Sequence, residues 1–318
     1  MSDSMLKRRQ LGRAALLALV SIGGVGATSA QTIAPAIQVS PQPLGVHAVK
    51  EGKLYWVDGG GANSGIVIGR TGVIVIDAKM TREAGAQLVE IVHKLTPKPI
   101  THVILTHSDG DHVNGLAGFP DGLTIIAHKN NKLEQMAVYQ LAPVEVDGGK
   151  CIPPRERLPN QIVFADRVAT EIDGERLVLH YYGPSHTSGD LIVELPADKV
   201  AYVGDIITTS VLIHPEKGGS LAGWFHTAQA LLQLDVDQFI GGHGPAPDSK
   251  ASLREHIATY QRMVTQVDSQ ADAGKSLAEV KAALGDPPKE QIGCRGTPFL
   301  SFATVEFNEH ADRKNELK

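Results

Sequence analysis

The run His107-Ser108-Asp109-Gly110-Asp111-His112 places four side chains able to ligate a metal within six residues, directly after the apolar, β-branched stretch Val103-Ile104-Leu105. Gly, Asp and Ser cannot prolong a buried strand, so these imidazoles and carboxylates project from a loop at the end of a sheet. Three further segments share that setting. Gly183-Pro184-Ser185-His186-Thr187-Ser188-Gly189-Asp190, Val203-Gly204-Asp205 and Gly241-Gly242-His243-Gly244-Pro245 each border an apolar, strand-like run. Imidazole nitrogen and carboxylate oxygen suit zinc and other borderline first-row cations, and catalytic sites of this kind leave a position open for water. Two cations sharing a water lower its pKa to about 7 while polarising an acyl or phosphoryl oxygen. Hydrolysis is the chemistry expected of such a centre.

Taken in order, these motifs resemble those of the metallo-β-lactamase fold superfamily: HxHxDH, a His in a Gly-His-Thr-x-Gly-like turn, a bridging Asp and a late Gly-His-Gly. The resemblance spans roughly residues 45 to 265 and departs from the pattern at Asp109, where most members carry a second His. It implies an α/β fold, the four-layer αββα sandwich, with the site at the seam between two sheets. It also implies one metal held by His107, Asp109 and His186, a second by Asp111, His112 and His243, and Asp205 bridging the two. Zinc is the first expectation for both ions. A metal-bridging hydroxide would attack an ester, lactone, thioester or β-lactam carbonyl, with Asp111 orienting the nucleophile and relaying its proton. Asp77, ending the strand-like Gly72-Val73-Ile74-Val75-Ile76, would support the site from behind or cap the helix that follows.

Asp109 adds an anion to a ligand set that already holds Asp111 and Asp205. Three carboxylates and a hydroxide would balance two divalent cations, whereas His at this position would leave one net positive charge. The expectation is a less electrophilic pair, a higher pKa for its water and a tilt towards iron or manganese. That tilt keeps open an iron-dependent oxidoreductase of the same fold, and a metal-binding factor without turnover is a third reading.

Lys7-Arg8-Arg9-Gln10-Leu11-Gly12, the apolar run from Ala14 to Val20 and the small residues ending at Ala30 resemble a secretory signal of twin-arginine type. The expected organisation is a signal over 1–30, an extended segment over 31–44, a catalytic domain over 45–265, and a C-terminal helix and tail over 266–318 packed on the same domain. Export to the periplasm or beyond would follow, with no stable membrane insertion after cleavage. A net charge of -5 offers no basic footprint for nucleic acid, so a small-molecule substrate is expected. Cys151 and Cys294 are either one disulfide in an oxidising compartment or two free thiols.

Lys53–Val57, Ile66–Ile68 and Gly72–Ile76 read as strands of an opening meander, and Thr81–Lys94 as an amphipathic helix closed by Pro97. Leu123–Ala127 reads as a strand and Asn130–Gln140 as a helix, while Leu141–Pro159 has no period and reads as a long loop. Short strands over Val163–Ala165, Glu171–Ile172, Arg176–Tyr181, Asp190–Glu194 and Val200–Val203 precede helices over Leu221–Leu234, Ala251–Ala271 and Ser276–Leu284. In the tail, Phe299–Val305 is expected to pack and the charged end to fray. The segment 206–219 offers Thr208, His214 and Lys217 at the mouth, and His226 begins the next helix. His214 and His226 are candidates to hydrogen-bond a substrate or oxyanion, against the plainer reading of surface or core histidines.

Overall fold

Val73, Ile74, Val75 and Ile76 are all buried, yet alternate residues serve two different cores, which requires a sheet covered on both faces. The computed structural model describes residues 43–139, 144–146, 149–151, 157–209, 212–286, 291–292 and 298–316. The signal-like segment and residues 31–42 lie outside them, as does Cys294, and the Cys151 side chain is likewise not described.

The first sheet begins as an antiparallel meander of β1 (Gly45–Lys50), β2 (Leu54–Asp58), β3 (Ser64–Ile68) and β4 (Val73–Ile76). Helix α1 (Arg82–Leu95) then crosses over to β5 (Ile100–Ile104), which lies parallel to β4. The Thr81 side chain accepts from the Ala84 N–H to start α1, and Thr96, preceding Pro97, ends it in an extended conformation. One-turn helix α2 (Gly110–Val113), strand β6 (Thr124–His128) and helix α3 (Lys129–Tyr139) follow. A hairpin of β7 (Val144–Val146) and β8 (Gly149–Cys151) comes before β9 (Gln161–Val163), which pairs parallel with β6.

The second sheet contains β10 (Arg167–Ile172), β11 (Glu175–His180), β12 (Ile192–Leu195) and β13 (Val200–Gly204) in antiparallel order. After α4 (Leu221–Gln233), β14 (Gln238–Gly241) adds parallel to β13. Helices α5 (Lys250–Asp272) and α6 (Leu277–Leu284), the short pair β15 (Gln291–Ile292) and β16 (Pro298–Phe299), and α7 (Phe302–Glu316) complete the chain.

Side-chain alternation stacks these elements in four layers. Val57, Val73, Val75 and Val103 pack on Leu88, Val89 and Val92 of α1. From the opposite face of that sheet, Trp56, Ile74, Ile76 and Ile104 meet Leu177, Leu179, Val193 and Tyr202 of the second sheet. The far face of the second sheet, with Ile192, Ala201 and Val203, is covered by Leu221, Trp224, Ala228 and Leu231 of α4 and by Leu253 and Ile257 of α5. Each such side chain contributes roughly 1.5–3 kcal/mol by leaving water, and the result is the αββα sandwich. Among the described residues no helix is long and apolar enough to cross a membrane.

Two local expectations are corrected. The expected loop over Leu141–Pro159 contains the β7–β8 hairpin. The tail does more than pack a patch, since Phe302–Glu316 is a continuous helix. Its apolar period is disguised because the positions it buries include Glu306 and His310. Arg313 pairs with Glu306, and His310 sits against Asp268 and Asp272 of α5. Burial raises the Glu306 carboxyl to about 7, against the opposing pull of Arg313.

Candidate metal centre

The polar residues of the site sit in the loops that leave the C-terminal ends of β5, β11, β13 and β14. His107 follows β5, with Asp109 at the N-cap of α2 and Asp111 and His112 within it. His186 lies in the β11–β12 connection, Asp205 directly follows β13, and His243 follows β14. Backbone bonds tie these loops together: Leu191 N–H donates to Thr106 O at 2.7 Å, and Gly242 N–H to Gly204 O at 2.7 Å. Gly242 is required by close approach, because a Cβ there would stand 1.9 Å from Asp205 Oδ1.

The loops gather two neighbouring sets of potential ligands, His107, Asp109, His186 and Asp205 in one and Asp111, His112 and His243 in the other, with the donor atoms of each within 4.8 Å of one another. Asp205 faces both. Its Oδ2 lies 3.8 Å from His107 Nε2, 3.7 Å from His186 Nε2 and 3.3 Å from His243 Nε2, while its Oδ1 lies 3.2 Å from His112 Nε2. Ligands about 2.0–2.1 Å from a tetrahedral zinc stand roughly 3.3 Å apart. The separations in the first set, 3.2 to 3.8 Å, approach that spacing. Among the described residues, His107 Nε2, His112 Nε2 and Asp205 Oδ1 are buried without a hydrogen-bond partner, an expensive arrangement that a divalent cation would relieve.

Ring orientation is fixed from behind. Asp77 accepts the Thr106 N–H at 2.8 Å through Oδ1, and through Oδ2 the Thr106 hydroxyl at 2.7 Å and His112 Nδ1 at 2.8 Å. Since the Thr106 hydroxyl gives its proton to Asp77, its oxygen accepts from His107 Nδ1 at 3.0 Å. One carboxylate thus directs the Nε2 lone pairs of His107 and His112 into different ligand sets. His186 Nδ1 donates to Leu212 O at 2.7 Å to the same effect. Asp77 has a left-handed backbone, φ 60°, and Thr81 caps α1, so Asp77 serves the site and not the helix.

Charge follows from this crowding. Burial opposes ionisation of Asp205, but His112 outweighs it and holds the carboxyl well below its ordinary range. Burial likewise opposes charge on His243, yet Asp111 and Asp205 push it up to about 10. Burial and the neighbouring His112 keep His107 neutral, its pKa far below the usual value.

A residue outside the motifs clamps two of these loops. Glu134 on α3 accepts from the Ser108 hydroxyl, and also from Ser188 N–H at 3.2 Å and Ser188 Oγ at 2.5 Å. It escaped the sequence reading because an acidic residue in a polar helix resembles a solvated face; a Ser in each of two ligand loops was the available signal. His214 is buried, with Nε2 at 3.1 Å from Asp109 Oδ2 and Nδ1 at 2.8 Å from Glu216. It therefore abuts the ligand set. His226 is exposed on α4 and is not brought into either set.

The metallo-beta-lactamase superfamily model matches residues 57–243, more than half of the chain. The chain belongs to the metallo-beta-lactamase superfamily. The alpha subunit of 2,4-dinitroanisole O-demethylase from Nocardioides sp. (strain JS1661) is 25% identical to it over 268 residues, covering 81% of this chain and 76% of its own length. The beta subunit of the same enzyme is 28% identical over 139 residues, 43% of this chain and 40% of that one. Among solved structures, the inverting sec-alkylsulfatase Pisa1 from Pseudomonas sp. superposes with TM-score 0.63 at 19% identity, covering 84% of this chain. This chain spans about half the length of that sulfatase, 50%. A metallo-beta-lactamase from Pontibacter korlensis superposes with TM-score 0.55 at 18% identity over 68% of this chain and 97% of its own, a likeness of fold.

Proposed function

We propose that the protein is a metal-dependent hydrolase of a small molecule, with two divalent cations, zinc first, held by His107, Asp109 and His186 and by Asp111, His112 and His243, and with Asp205 shared between them. The observation that carries this reading is the Asp205 carboxylate, whose Oδ2 faces His107, His186 and His243 and whose Oδ1 faces His112, so that it touches both ligand sets. When bound, such cations supply Lewis acidity and acidify a coordinated water.

The chain's own residues supply the rest. Asp77 keeps His107, through Thr106, and His112 in the tautomer that offers Nε2 inward. Asp111 sets a carboxylate oxygen 3.1 Å from His243 Nε2 and 3.8 Å from His112 Nε2, beside the second ligand set, where it can orient a water and take its proton. Glu134 fixes the spacing of the His107 and His186 loops. The relatives' names, an O-demethylase and a sec-alkylsulfatase, support ether C–O and sulfate-ester bonds as candidates beside the acyl bonds, β-lactams included. Export of the protein, read from Lys7-Arg8-Arg9 and the apolar run after it, belongs to the same proposal and is tested by sequencing the mature amino terminus.

The test is a panel of nitroaryl methyl ethers, alkyl sulfates, esters, thioesters, lactones and β-lactams, assayed with defined zinc, manganese or iron loading. Turnover of one class, abolished by chelation and in Asp205→Ala, is expected. Tight metal binding with no turnover anywhere in the panel would overturn the enzyme reading. The oxygen-rich set that includes Asp109 favours one other reading, an iron-dependent oxidoreductase, which substrate-dependent oxygen uptake would reveal.

A further inference from the structure

We propose that Lys217 is a built-in counter-ion for Asp109, lowering the affinity of the centre for cations and cancelling the charge that Asp109 adds. The inference rests on the metal-centre reading above. Asp109 divides its two oxygens between different tasks. Oδ2 faces the ligand set, 3.2 Å from His186 Nε2 and 3.7 Å from His107 Nε2, whereas Oδ1 is in contact with the Lys217 ammonium. The Lys217 side chain is only 7% exposed, so solvent does little to screen this pair.

The segment that delivers Lys217 is anchored to the ligand loops. His214 N–H donates to His186 O at 2.9 Å, Lys217 N–H to His214 O at 2.9 Å, and Ser220 N–H to Ser185 O at 2.9 Å. A Cβ at Gly219 would stand 2.3 Å from His186 O, so the backbone itself lies against the His186 loop. Lys217 is therefore held in place by the same structure that places His186.

Three carboxylates, Asp109, Asp111 and Asp205, face the centre, and one ammonium reduces their charge to that of two. The expectation drawn from Asp109 alone, a more anionic shell and a less electrophilic pair, loses its electrostatic basis once Lys217 is counted. The ammonium occupies Asp109 Oδ1 and repels a cation bound at Oδ2, so its removal tightens binding.

The test is a competition titration of the full chain, stripped of metal, with Zn2+ against a chromogenic chelator. Lys217→Met, an uncharged side chain of similar length, should bind its weaker zinc at least about tenfold more tightly than wild type, a gain of about 1.4 kcal/mol, and Lys217→Arg should match wild type. Asp109→His removes the carboxylate that faces the ammonium and sets an imidazole ligand beside that positive charge, so it should bind zinc at least about tenfold more weakly than Asp109→His combined with Lys217→Met. Equal or weaker binding by Lys217→Met, or an Asp109→His variant indifferent to Lys217→Met, would overturn the counter-ion role while leaving the hydrolase reading intact. A wild-type chain that binds none of Zn2+, Mn2+ or Fe2+ would remove that reading and this one with it.

Discussion

Asp77→Asn is the substitution that interrogates the centre most cleanly. Asn tolerates the left-handed backbone that Asp77 adopts at φ 60°, so the change alters charge and hydrogen bonding without adding strain. Asp77 accepts three bonds through two oxygens, from Thr106 N, Thr106 Oγ1 and His112 Nδ1. An amide retains one of those oxygens and turns an NH2 group towards the other donors. Either the Thr106 N–H is orphaned, or His112 Nδ1 and the Thr106 hydroxyl meet a donor. A buried bond to a charged group is worth about 1.5–3 kcal/mol, so the metal-free protein should lose about 2 to 3 kcal/mol in urea unfolding. The larger effect is on the rings. Freed of Asp77, His112 can carry its proton on Nε2, and the Thr106 hydroxyl no longer holds His107 by the same relay. Groups placed behind a metal ligand typically change affinity by about 10–100-fold, equivalent to about 1.4 to 2.7 kcal/mol per ion. Competition against a chromogenic chelator measures this directly. Because the two ligand sets each depend on Asp77, both zinc ions should weaken. A variant that loses only stability and binds zinc like the wild type would refute the claim that Asp77 sets the tautomers.

Asp205→Ala should remove the carboxylate shared by the two sets, and elemental analysis of the purified variant should find the greater part of both ions gone. Glu134→Ala releases Ser108 and Ser188 together and should cost about 2 kcal/mol in urea unfolding, with turnover falling while the amino acids at the ligand positions stay the same. His128 is buried against Tyr181, ring centroids 3.9 Å apart, and burial lowers its pKa to about 4. The unfolded chain binds this proton near pH 6.5 and the folded chain only near 4, so stability is full above about 6.5 and declines as the pH falls through that window, by about 3 kcal/mol in all. His128→Phe keeps the stacking and should flatten that part of the stability–pH curve. An unchanged difference between pH 7 and pH 4 would count against a buried neutral ring.

The ligands were legible in the sequence because each interrupts an apolar strand with a residue that a strand end does not need: His107 after Leu105, Asp205 after Val203 and His243 after Ile240. The layers were legible for a related reason. Strands buried on both faces, such as Val73–Ile76, read as continuous apolar runs, while α1 and α4 keep a helical period. What escaped was whatever stabilises itself by polar pairing. Helix α7 buries Glu306 and His310, which look like surface residues until Arg313, Asp268 and Asp272 are beside them. Glu134 belongs to this class as well, and for Lys217, legible only as a residue at the mouth, it was the pairing with Asp109 that escaped, since both meanings come from loops far away in the chain.

That division bears on how this centre should be understood. The side chains that could touch a metal are announced locally, by type and spacing, and they would be much the same in any protein that hydrolyses through such a site. The side chains that set its charge and spacing lie elsewhere, on α3, on the segment before α4 and behind β4. Asp109 illustrates the consequence: judged within its motif it makes the centre more anionic, and judged with Lys217 it does not. A reactive centre is therefore specified by pairs of residues, one in the motif and one outside it. Replacing the motif member alone should cost more than replacing both.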